Sequence, residues 1–293
     1  MSAGVDLLKK YPTIAHNYVA SFFEKNGKLY ANLNNSKRGF KHLLTWEPYT
    51  IRPENWDVNV INQFDSFITF NDKFCENPQI TAKNYVTKYW SGGVIDVDLD
   101  TFKSYDEKIK GVCVFGKQGR DAYKKREGSI YFLRNEFLRD FIVEPFLVKH
   151  LYAHEKWGGE YYQGSCEPYN PWGKAALEKV NEYLFCFCPE NTYHSLWSHG
   201  YLTERLLRCF RAKTVGIYIG CFNIDELVPK DLYIDFREFY GDYDRLADYL
   251  INFPKEKYLD MTERAYKWYK IHRIGLVEDF ESMLKIIVGK ENA

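Results

Sequence analysis

The sequence predicts an α/β protein of two Rossmann-like lobes facing each other across a cleft. Three observations carry that expectation. Apolar runs of strand length alternate with helix-period segments in both halves of the chain, and a polar, turn-rich stretch from Asp96 to Lys110 separates the two sets. Leu184 to Phe236 then reads as strand, loop, helix, strand, the order of a β-α-β unit in a parallel sheet. The 293 residues are enough for two medium cores.

In the first lobe, residues 1–110, strand-like runs occur at His42 to Trp46 and Phe67 to Phe70, interrupted by Pro48, Pro53 and Pro78. The second lobe, residues 111–265, opens on the apolar strand Gly111 to Phe115. Its next clear strand, Leu184 to Cys188, runs into a polar loop carrying Glu190 and Asn191. A helical pattern opens at Tyr201-Leu202-Thr203-Glu204-Arg205, where Leu202, Leu206 and Phe210 recur at helical spacing and Glu204 and Arg205 lie near the positive N-terminal end. Thr214 to Gly220 alternates like a buried strand. Ligands of such a unit sit beyond the carboxyl ends of the strands, where a helix N-terminus offers amides to phosphate. Glu190, Asn191, Tyr201, Glu204 and Arg205 fall at that edge. From Lys255 to Val288 the pattern is helical again, with Tyr258, Met261, Tyr266, Tyr269, Leu276, Phe280 and Leu284 at the apolar positions.

Composition narrows the function classes. Lys+Arg and Asp+Glu both number 40, so the chain lacks the basic surplus of a protein that lives on nucleic acid or an anionic membrane. No apolar run approaches the roughly 20 residues of a membrane span, and Met1 to Lys10 lacks the apolar core of a signal peptide. A cytoplasmic location, with no transmembrane segment, is the expectation. The seven cysteines are odd in number, and Cys113, Cys186, Cys188 and Cys209 lie in apolar runs, which reads as buried free thiols in a reducing compartment. No Cys or His pairs stand at zinc spacing. Aromatic residues make up 18% of the chain, a surplus that can stack on sugar rings and equally fills ordinary cores.

Phe187-Cys188-Pro189-Glu190-Asn191, followed by Tyr201-Leu202-Thr203-Glu204-Arg205, resembles the donor-binding motif of the family 10 glycosyltransferases, the α-1,3/1,4-fucosyltransferases: Phe-x-x-Glu-Asn, a short loop, then Tyr-(Val/Ile)-Thr-Glu-Lys. Thr45-Trp46-Glu47-Pro48 is similar to the family's Glu-(Ser)-Pro segment, Phe64 to Phe70 to its first-lobe strand, and Leu133-Arg134-Asn135 to its phosphate contact. The match spans roughly residues 43 to 265. The resemblance, to the bacterial or viral type of the family, implies a GT-B fold with the acceptor mostly in the first lobe, the donor in the second, and a terminal helix over 266–293 crossing back. It implies an inverting glycosyltransferase that moves a sugar, with fucose from GDP-fucose as the first expectation, to a glycan hydroxyl. Two departures are the longer loop between Asn191 and Tyr201 and Arg205 in place of Lys; an arginine fork makes bidentate contacts that an ammonium cannot. They leave open another donor, such as UDP-xylose. A carbohydrate-binding protein without catalysis is the reading from a different class.

Such a transfer needs charge relief for the departing diphosphate and a base for the acceptor hydroxyl. Arg134 and Arg205 are the candidates for the first, assisted by the helix N-terminus at Thr203; the plain alternative for Arg134 is an ion pair on its own helix. Glu204 suits sugar or ribose hydroxyls, and Tyr201 and Asn191 shape the pocket beside Glu190. Glu47, at the end of a first-lobe strand, is the first candidate base, with Asp72 after Phe70 as the second. A solvated glutamate titrates near about 4.3, so Glu47 would need partial desolvation to serve. Asp96-Val-Asp98-Leu-Asp100 has the Asp-x-Asp form of metal–nucleotide sites but lacks their context and reads as a solvated turn. No cofactor and no divalent metal are expected, and His194 and His199 suggest no ligand cluster.

Overall fold

The computed structural model describes residues 23–25, 28–30, 42–45, 47–86, 98–116, 125–142, 146–153, 160–164 and 173–272. Strands β1 (Phe23–Lys25) and β2 (Lys28–Tyr30) form an antiparallel hairpin. Strands β3 (His42–Thr45), β4 (Ser66–Thr69) and β5 (Lys83–Val86) form a three-stranded parallel sheet. A second parallel sheet has the order β10-β9-β8-β6-β7, from β6 (Ile109–Gly116), β7 (Val148–Ala153), β8 (Tyr183–Phe187), β9 (Val215–Tyr218) and β10 (Ile234–Asp235).

A parallel sheet covered on both faces has strands with no polar side, so its sequence signal is a continuous apolar run. Every residue of β8 and β9 is buried. Alternate side chains go to opposite faces. Val112, Val114, Phe185 and Phe187 pack with Leu133, Phe137 and Leu138 of helix α1 (Leu133–Asp140) and Leu246, Ala247 and Leu250 of α2 (Tyr243–Ile251). Cys113, Cys186 and Tyr218 pack instead with α3 (Lys174–Asn181) and α4 (Glu204–Arg211). Helix α5 (Lys255–His272) contributes to both layers, through Tyr258 and Met261 on one side and Ala265 and Tyr269 on the other. Each fully buried large side chain is worth about 1.5–3 kcal/mol, so these layers hold the lobe together. The described cysteines are free thiols, and Cys113, Cys186, Cys188 and Cys209 are buried, as the apolar runs around them suggest. Two buried lysines close helix ends: Lys108 Nζ donates to Asn181 O (2.5 Å) at the end of α3, and Lys149 Nζ to Leu138 O (3.0 Å) in the last turn of α1.

The sequence places a helix opening at Tyr201. The structure starts α4 at Glu204, with Thr203 in the N-cap position, and gives the preceding residues a different task. Residues 192–200 form a strap onto the first lobe. Trp197 stacks on Tyr49 (centroids 4.3 Å apart) and meets Trp56 and Phe74 edge-on or tilted. Asn71 Nδ2 donates to Leu196 O (2.6 Å), and Tyr201 joins the first-lobe core beside Phe70. Gly200, at φ +75°, lies so close that a Cβ there would stand 2.2 Å from Phe70 O. The lengthened loop is therefore the joint between the two sheets. Residues 273–293, and with them the crossing of the terminal helix, lie outside the described residues, as do Asp96 and residues 165–172. Among the described residues no helix is long and apolar enough to cross a membrane.

Candidate active site at the interlobe crevice

In the five-stranded sheet the chain runs from β6 outward to β7 and returns to β8 on the other side of β6, which makes the β6/β8 boundary the switch point where α/β sheets bind ligands. Glu190, in the loop after β8, lies at that carboxyl edge and is completely buried. A buried carboxylate must be paired and hydrogen-bonded. Thr203 N–H donates to its Oε1 (2.9 Å), and Thr203 Oγ1 lies 2.8 Å from both carboxylate oxygens. Arg205 Nη1 pairs with Oε2, and Tyr218 Oη donates to Oε1 (3.4 Å). Arg205 also reaches Asn191 Oδ1 through Nη2 (3.2 Å) and Thr203 Oγ1 through Nη1 (3.2 Å). Glu190, Asn191, Thr203 and Arg205 thus form one network at the N-terminus of α4. Burial raises the Glu190 pKa, and the Arg205 guanidinium opposes that rise.

The first amide of the helix N-terminus is already taken, because Thr203 N–H serves Glu190. The sequence assigns this helix end to an incoming phosphate; the structure gives part of it to a protein carboxylate, with the partly exposed Arg205 paired to that carboxylate. Gly220 makes the arrangement possible: a Cβ at this position, where φ is +156°, would lie 2.2 Å from Glu190 Cβ and Cγ. Gly220→Ala is expected to push Glu190 out of register, with about 1–3 kcal/mol lost from stability by overpacking and weaker nucleotide binding. Thermal melting with and without nucleotide checks this, and unchanged values in both would show that Glu190 is free to shift.

Arg134, on the first turn of α1, does not pair on its own helix. Its Nη2 donates to Pro189 O (2.8 Å), with Glu190 O and Asn191 Oδ1 each at 3.4 Å, and the residue is 2% exposed. Burial, and then the neighbouring Arg205 charge, lowers its pKa to about 10. Arg134 is brought to the site, but its observed contacts hold the 189–191 turn in place.

Glu47 enters from the first lobe. It follows β3, its carbonyl accepts from Trp56 Nε1 (3.0 Å), and its carboxyl Oε2 is buried with no hydrogen-bond partner among the described residues. The next turn is bolted to the second lobe: Arg126 Nη1 donates to Thr50 O and Ile51 O (2.9 Å each), and Thr50 Oγ1 donates to Thr192 Oγ1 (2.8 Å). Burial raises the Glu47 pKa from 4.5 to about 7; Arg205 and Arg52 pull it down, while Glu204 and Glu190 push it up. Those named charges place Glu47 electrostatically inside the Glu190–Arg205 cluster. Tyr201, whose hydroxyl is shifted up by burial and then by Glu47 and Glu190, lies in the same group. Glu204, buried in the first turn of α4, adds negative charge there.

Asp72 stands at the surface. Its Oδ1 is 2.7 Å from His199 Nδ1, and its side chain is 59% exposed. Asp98 pairs with Lys270 and Asp100 with Lys174, so the described part of the Asp-x-Asp stretch is a salt-bridged surface. Among the described residues no group of three or more His, Cys, Asp or Glu could hold a metal ion.

Residues 134–286 match the model of the glycosyltransferase family 10 (fucosyltransferase) C-terminal region. The chain belongs to glycosyltransferase family 10. Among solved structures, TarM aligns with a TM-score of 0.52 at 9% identity, over 89% of this chain and 52% of that one, which shows the GT-B fold. An α1,3-fucosyltransferase with GDP aligns at TM-score 0.48 and 14% identity, over 80% and 71%. Another α1,3-fucosyltransferase structure aligns at TM-score 0.43 and 17% identity, over 69% and 59%, so this chain spans less than two thirds of its length. The curated proteins contain no match.

The sequence did not single out Arg52, Tyr131 and Tyr218, which the structure places beside Glu47, Arg134 and Glu190. Tyr131 lies near Arg134, whose guanidinium carbon is 5.4 Å from the ring centroid. The signal for Arg52 was present in the turn Glu47-Pro48-Tyr49-Thr50-Ile51-Arg52, which returns a cation toward the carboxylate it follows.

Proposed function

We propose that the protein is an inverting, metal-independent transferase that moves fucose from GDP-fucose to a glycan hydroxyl, with the donor held by the second lobe and the acceptor by the first. Family membership supports the reaction class. The observation that carries the mechanism is a first-lobe carboxylate, Glu47, whose buried Oε2 has no hydrogen-bond partner among the described residues and whose pKa burial raises to about 7, set against the Glu190–Arg205 pair of the second lobe. A base for a sugar hydroxyl works best with a pKa near the operating pH.

In this reading Glu47 accepts the acceptor hydroxyl proton as that oxygen attacks the anomeric carbon from the face opposite the diphosphate. The bond to the diphosphate breaks with its electron pair, and Arg205 balances the charge that develops on the leaving oxygens. Inversion follows from one displacement. Arg134 supports this chemistry by holding the 189–191 turn, and Glu204 and Asn191 border the donor. Asp72 is left out of the mechanism, since His199 binds it at the surface.

The test is a thermal-shift series with GDP and UDP, followed by transfer assays with GDP-fucose in the presence of EDTA. Stabilisation by GDP, about 2.7 kcal/mol at a hundred-fold excess over Kd, with EDTA-resistant fucose transfer is the expected result. Stabilisation by UDP alone would reassign the donor to a UDP-sugar such as UDP-xylose. Glycan binding without turnover of any donor would favour the non-catalytic reading.

A further inference from the structure

Two aromatic rings stand beside the Glu190 network without taking part in it. Tyr193 lies in the loop after β8, three residues beyond Glu190; Phe222 lies in the loop after β9, two beyond Gly220. Their centroids are 5.7 Å apart with planes tilted by 33°, and Phe222 is 39% exposed while Tyr193 is half-buried. A phenylalanine open to solvent leaves apolar surface uncovered, which is unfavourable unless something lies over it.

The pair is fixed to the network. Cys221 N–H donates to Tyr218 Oη (3.0 Å), the hydroxyl that itself donates to Glu190. Phe222 N–H donates to Ser198 O (3.1 Å), Tyr193 N–H to Gly128 O (2.8 Å), and Gly200 N–H to Asn223 Oδ1 (2.7 Å). The rings therefore hold a set position relative to Glu190 and Arg205. Two neighbouring rings are committed: Tyr201 is buried against Phe70, and Trp197 lies on Tyr49.

Resting on the reading that the crevice takes a nucleotide-sugar donor, we propose that Tyr193 and Phe222 form the platform on which the donor's nucleobase stacks. With the diphosphate at Arg205 and the sugar turned toward Glu47 of the first lobe, the nucleoside must lie along the second lobe, and this pair is on that lobe's carboxyl edge. Stacking on an aromatic face holds any base, because every base has a π-face, so the platform supplies affinity without choosing guanine over uracil.

Calorimetric titration of GDP and UDP into the wild type, Phe222→Ala, Phe222→Trp and Phe132→Ala tests this, with melting of the unliganded proteins as the check on folding. Phe132 is a second exposed ring, at the start of α1. Phe222→Ala is expected to weaken the bound nucleotide at least about tenfold with melting unchanged, and Phe222→Trp to restore it. Unchanged affinity in Phe222→Ala, no recovery in Phe222→Trp, or a loss confined to Phe132→Ala overturns the platform while leaving the donor site standing. A wild type that binds neither nucleotide removes the donor reading itself, and the platform with it.

Discussion

Arg205→Ala is expected to lower the unfolding free energy by about 3–5 kcal/mol and kcat/KM by about 10²- to 10³-fold. The stability loss comes from Glu190, which is fully buried and would keep only Thr203 and Tyr218 as partners. Without the guanidinium the Glu190 carboxyl, already raised by burial, rises further. A carboxyl whose folded pKa lies above its unfolded value favours the folded state below the unfolded pKa and loses that contribution as pH rises through the folded one. The deficit of Arg205→Ala should therefore be larger at pH 8 than at pH 5, which urea melts at the two values would measure.

Loss of activity could then follow from loss of fold, and a double variant separates them. Glu190→Gln combined with Arg205→Ala removes the stranded charge, so most of the stability should return while turnover stays low. Recovered turnover in the double variant would mean that Arg205 serves only to neutralise Glu190. Arg205→Lys restores one charge but cannot span Glu190 and Asn191 together, as the fork does through Nη1 and Nη2. Nucleotide affinity between those of the wild type and the alanine variant is expected for it.

The buried strands of the second lobe were legible because both of their faces are covered, so β8 appears in the sequence as an unbroken apolar run. The start of α4 was not. Tyr201 and Leu202 fit a helical period, yet Tyr201 is claimed by the first-lobe core and the helix begins only at Glu204; tertiary packing overrides the local pattern. Among the site residues, Glu190, Asn191, Thr203 and Arg205 were readable as a group because their separations along the chain are short. Arg134 was placed near them, but its shortest hydrogen bond goes to a backbone carbonyl of a distant turn, which leaves no trace in residue types. The Asp72–His199 pair joins residues 127 apart, and only the strap brings them together.

Glu47→Gln is expected to reduce kcat by about 10²- to 10⁴-fold, the usual contribution of a general base, while nucleotide binding persists. The wild-type kcat/KM should rise with pH through about 7, the titration of Glu47 in the free enzyme, and level off above it. Ionised Glu47 adds a negative charge to a cluster that already holds Glu190 and Glu204, so GDP should bind more weakly above pH 7 than below it, a dependence the glutamine variant lacks. The same residue shapes stability. Its folded pKa of about 7 lies above the ordinary 4.5, so its stabilising contribution is fully present below about 4.5 and disappears as pH rises through 7. Glutamine removes that loss, and the variant should be more stable than the wild type at pH 8.5, by an amount on the order of 3 kcal/mol at most. An inactive variant that melts higher in alkali is the signature of a base kept in a desolvated site for the reaction. If Glu47→Gln turned over normally, or lost nucleotide binding as steeply as turnover, the proton would have to leave through another group, and the crevice would lose its chemical centre.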